Sequence, residues 1–76
     1  SLDKALPYKI TFMAKIRRGG YVFLSWKGDH SPRHVHVYKD GDFVVKWDLE
    51  NNYPMRGAAS PRLQQLIHDL QMEGLI

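Results

Sequence analysis

With 76 residues, no cysteine, and 43% hydrophobic against 25% charged content, the chain reads as one small domain. It is too apolar for disorder, and neither disulfides nor a thiolate zinc site can brace it. No apolar run approaches the roughly 18 residues of a membrane-spanning helix and no signal-peptide core is visible, so the expectation is a cytoplasmic protein that engages no membrane. The formal charge of +3 is uneven: residues 1–38 hold seven bases and two acids, the remainder four bases and six acids, which allows an acidic partner to meet the front half.

From Tyr8 onward, Ile10, Phe12, Ala14 and Ile16 alternate with Lys9, Thr11, Lys15 and Arg17, the period of a strand. Gly19-Gly20 supplies a hairpin turn into a second strand, Tyr21–Trp26, apolar on both faces and therefore interior to a sheet. Residues 27–33 have turn composition. His34–Tyr38 and Phe43–Leu49 read as third and fourth strands joined at Asp40-Gly41. A two-residue turn there would set the histidines against the most apolar side of strand four. A three-residue loop, Lys39–Gly41, pairs Val35 with Val45, Val37 with Phe43 and His34 with Lys46 and keeps the faces separate, so this register is expected. Residues 50–60, with Asn51-Asn52, Pro54 and Gly57, read as a connecting loop. Ser60 and Pro61 then open a helix whose Leu63, Leu66, Ile67 and Leu70 form one apolar stripe and which Gly74 ends. The expected fold is α+β, a four-stranded antiparallel meander with the helix laid across one face and Trp26 and Trp47 in its core. Residues 1–76 are expected to form a single domain, and Met13 is a candidate start that would make 1–12 an upstream extension.

The densest chemistry lies in Asp29-His30-Ser31-Pro32-Arg33-His34-Val35-His36. On a strand, His34 and His36 project from one face with Cα atoms roughly 7 Å apart, within reach of a shared ion. Two ligands do not make a site, and Asp29, His30 or Asp48 would have to complete it. The sequence therefore predicts no metal and no cofactor, and names Asp29, His30, His34 and His36 as the ligands if one were bound. The same residues suit metal-free chemistry: an RNA-cleaving site needs a base, an acid and phosphate-holding cations, which His34 or His36 with Arg33 and Lys46 supply. Lys15, Arg17 and Arg18 would extend such a basic face, with Tyr21 to stack a base. Against this stands the ordinary reading, a solvated sheet face with commonplace polar residues. Phosphate-cradling, dinucleotide and nucleophile-elbow motifs are missing.

Gly20-Tyr21-Val22-Phe23, the Asp29–Val37 block, the apolar strand ending Lys46-Trp47-Asp48-Leu49, and Arg56-Gly57 before a leucine-rich helix resemble, over about residues 13–74, the bacterial family catalogued as domain of unknown function 4160. Arg33 stands where that family usually has a second proline. The resemblance implies a small α+β fold and a module often found beside another small gene in toxin–antitoxin-like arrangements. It places the hallmark histidines at His34 and His36 and the hallmark Asp-His at Asp29 and His30. The expected function is thus an adaptor or regulatory module acting through a protein partner. Its binding residues would be Asp29, His30, Arg33, His34 and His36. A weaker likeness to small toxins with a double-stranded-RNA-binding-like fold carries the alternative, RNA binding or cleavage. Those toxins need a helix before the first strand, for which residues 1–7, broken by Pro7, are too short.

Overall fold

Period-two alternation becomes strand where it was expected, and one further strand forms in a segment without that pattern. The computed structural model describes residues 11–27 and 33–76, with backbone alone for 11–13, 26 and 27. Asp29, His30 and the strand start expected at residues 8–10 lie outside the described residues, as does the side chain of Trp26. The elements are β1 (Thr11–Arg18), β2 (Tyr21–Lys27), β3 (His34–Lys39), β4 (Asp42–Asp48), β5 (Tyr53–Gly57) and α1 (Pro61–Met72). The strands form one antiparallel sheet in the order β1-β2-β3-β4-β5. The α+β class holds, and the four-stranded meander is corrected to five.

The fifth strand comes from the segment expected to be loop. Asp48 initiates the turn into it: its Oδ1 accepts from the backbone N–H groups of Glu50 and Asn51 at 2.8 and 2.9 Å, and Asn52 N–H returns to the Asp48 carbonyl at 2.9 Å. Asn52 takes φ +56°, which asparagine tolerates better than most residues. Pro54 has no N–H to give a ladder, yet it is admissible because β5 is the sheet's edge.

The β3–β4 register also departs from expectation. Asp40 and Gly41 both have positive φ, +51° and +82°, so the turn is the tight two-residue type and Lys39 pairs with Asp42. The faces stay separate because the extra residue sits further along, where Tyr38 pairs with Phe43 but Val37 with Val45, leaving Val44 as a bulge. His34 consequently lies opposite Asp48 and His36 opposite Lys46.

With that register, Phe23 faces Val37, Val37 faces Val45 and Val35 faces Trp47, giving one continuous apolar face. Leu63, Ile67 and Leu70 of α1 close over it, joined by Leu49 and Ile76, and all ten residues are buried. Leu66, expected in the same stripe, is only partly buried and lies at the rim against Gly19. Ser60 caps the helix, its hydroxyl accepting from Leu63 N–H at 3.1 Å, and Pro61 follows. Gly74, at φ +76°, ends it through paired bonds from Gly74 N–H to Gln71 O and from Leu75 N–H to Leu70 O.

Candidate functional site

Because α1 occupies one face of the sheet, strand alternation sends the intervening residues to the other. No described element covers that second face. Across it runs a row of paired residues from all five strands: Lys15 opposite Leu24, Leu24 opposite His36, His36 opposite Lys46, and Lys46 opposite Arg56. A second row runs Arg17, Val22, Tyr38, Phe43. The Tyr38 and Phe43 rings meet edge to face, 5.8 Å between centroids, and the Arg56 guanidinium lies 4.9 Å from the Phe43 ring centre. Neither row contains a carboxylate, so four full positive charges share a surface patched with half-buried apolar and aromatic groups.

The two histidines sit in the middle of this face. Their rings are 5.2 Å apart at an interplanar angle of 84°. Asp48, opposite His34, is a buried and committed carboxylate: besides the two backbone bonds, its Oδ2 accepts from the Asn51 side chain at 2.8 Å. Burial pushes the Asp48 pKa up, but the Asn51 and Glu50 hydrogen bonds and the nearby His34 outweigh it and hold the carboxyl below its ordinary range. Asp48 is therefore a fixed negative charge at the edge of the histidine pair.

Of the residues singled out from sequence, Lys15, Arg17, His34, His36 and Lys46 are brought together. Arg33 is exposed just before β3; its N–H donates to the Glu50 carboxylate and its carbonyl accepts from Leu49 N–H. Arg18 and Tyr21 fall on the helix side instead. Arg18 makes a bidentate pair with Glu73 at 2.5 and 2.9 Å, and Tyr21 packs against the core beneath Lys39. Neither is available to the open face. Sequence reasoning missed Arg56 and the Tyr38–Phe43 pair; reading Tyr53–Gly57 as a strand would have put Arg56 in the row with Lys46. A hollow between the two glycine turns is lined by Arg17, Tyr21, Val22 and Asp40, and the Asp40 carboxylate makes it a poorer anion site than the sheet. Among the described residues, no three His, Asp or Glu side chains are grouped as a metal site requires. No described helix is long and apolar enough to cross a membrane.

No family model matches the chain, and neither does any curated protein or any solved structure.

Proposed function

We propose that the protein is a binding module whose open sheet face takes single-stranded RNA. The observation that carries this is the pairing row Lys15–Leu24–His36–Lys46–Arg56 alongside Arg17–Val22–Tyr38–Phe43: cations spaced across five strands, interleaved with rings and apolar groups, and free of carboxylates. Backbone phosphates pair with the cations, while bases rest on the aromatic and aliphatic surface, an arrangement that tolerates many sequences. An extended strand suits a flat sheet better than duplex does, since no described helix offers a basic face for a groove.

The test is a fluorescence-anisotropy titration of a labelled ten-nucleotide RNA at several salt concentrations. Four phosphate contacts imply affinity falling with a log–log slope of about −3. Binding with a slope near zero, or none at low salt, would refute the reading.

The second reading, a bacterial adaptor working through a protein partner in a toxin–antitoxin-like setting, is supported by the family resemblance and by Tyr53 and Met55, which are exposed on the edge strand β5. Co-purification separates the two: an untagged preparation carrying RNA favours the first, one carrying a stoichiometric small protein favours the second.

A further inference from the structure

We infer that the open face also cleaves the RNA it holds, with His34 and His36 as a two-imidazole acid–base pair. The inference rests on the RNA-binding reading and adds a reaction to it. Three observations converge. The rings are on one face, 5.2 Å apart, a separation that lets one imidazole reach the attacking oxygen of a phosphodiester and the other the leaving oxygen. Lys46 lies opposite His36 and puts a cation beside the pair for the non-bridging phosphate oxygens, while Arg56, opposite Lys46 and held over the Phe43 ring, continues the positive charge one strand further out. Asp48, opposite His34, and Lys46, opposite His36, set an anionic group by one ring and a cationic group by the other, and thereby distinguish the two rings.

The charges set the roles. His36, flanked by the Lys46 ammonium, takes the proton from a ribose 2′-hydroxyl, and the 2′-oxygen forms a bond to the adjacent phosphorus. His34, opposite the Asp48 carboxylate, acts as the acid and gives a proton to the departing 5′-oxygen as the phosphorus–oxygen bond breaks. The products are a 2′,3′-cyclic phosphate and a 5′-hydroxyl. One proton enters the pair and one leaves it, so the step balances without any co-reactant. Deoxyribose lacks the nucleophile, so DNA would bind and survive.

Two oligonucleotides of one sequence separate binding from cleavage: all-RNA, and a fully 2′-O-methylated form that has no 2′-hydroxyl. The expected result is comparable binding of both and cleavage of RNA alone, in the presence of chelator, to fragments ending in cyclic phosphate. His34→Gln and His36→Gln should each slow cleavage by about 100-fold or more, a far larger factor than either variant loses in binding the methylated RNA, with the melting temperature checked for each. Lys46→Gln, which leaves both imidazoles in place, should slow cleavage more than it weakens binding. Binding without cleavage, cleavage unchanged in both histidine variants, or products ending in a 3′-hydroxyl would overturn the cleavage centre while leaving the binding face standing. Failure to bind either oligonucleotide, with no cleavage, would remove both.

Discussion

Asp48 shows how one side chain sets both a fold element and the neighbourhood of a site. Its carboxylate organises the turn that makes β5 possible and supplies the negative charge opposite His34. Since the folded carboxyl is held below its ordinary range, the native state binds this proton less readily than the unfolded chain does. The contribution to stability is therefore complete above the unfolded carboxyl range, near pH 4, and is lost as pH falls through the lower, folded value. Glu73, lowered by its Arg18 hydrogen bonds against a smaller opposing effect of burial, follows the same direction. Asp48→Asn should lower the melting temperature at pH 7 and flatten its decline between about pH 5 and pH 2; an unaltered acid profile would show that the turn does not depend on the charge. Gly57 is the other residue whose identity is dictated locally. At φ +78°, an added Cβ would sit 2.2 Å from the Val44 carbonyl oxygen, the oxygen of the bulge residue. Gly57→Ala should cost about 1–3 kcal/mol for the backbone conformation alone, with the clash added, measurable by urea unfolding.

At the scale of elements, legibility followed the strength of local signals. The helix was readable because Ser60, Pro61 and Gly74 mark both ends and the apolar spacing marks its buried face. β5 was hidden because the Asn51-Asn52 turn before it and its own Pro54 and Gly57 resemble loop, and the edge position is what admits the proline. The β3–β4 hairpin was half legible: the demand that apolar faces align predicted the correct sidedness, but could not tell a longer loop from a tight turn plus a bulge at Val44, since both insert one residue. The helix stripe was over-read at one position, because spacing cannot say how far the sheet extends beneath each turn. Leu70 is fully buried, whereas Leu66 lies at the rim over Gly19. Leu70→Ala should thus cost about 2–5 kcal/mol and Leu66→Ala clearly less, compared by denaturant midpoints; equal costs would mean that the rim packs as tightly as the core.

For the whole molecule, charge along the chain and charge in space are different quantities. The basic front half suggested a basic surface, yet Arg18 is spent on Glu73 across the helix side, while the acidic rear half sends Lys46 and Arg56 to the open face. The site was legible as residue types, histidines with nearby cations, and illegible as a surface, because strand pairing alone decides which cations share a side. This yields a comparison in which net charge is held constant. Lys46→Glu and Arg62→Glu each change the molecule by the same two units, but Lys46 is in the open-face row and Arg62 is on α1, bonded to the Gly19 carbonyl at 3.2 Å. If binding followed overall charge, the two variants would lose RNA affinity equally, and each loss would vanish at high salt. If binding belongs to the face, Lys46→Glu should weaken it by about tenfold or more and lower the magnitude of the salt slope by about 1, while Arg62→Glu leaves both within about twofold. Both substitutions are at solvent-accessible positions, so melting temperatures should stay within a few degrees of the parent, and an affinity loss in Lys46→Glu alone would locate the RNA on the five-stranded face.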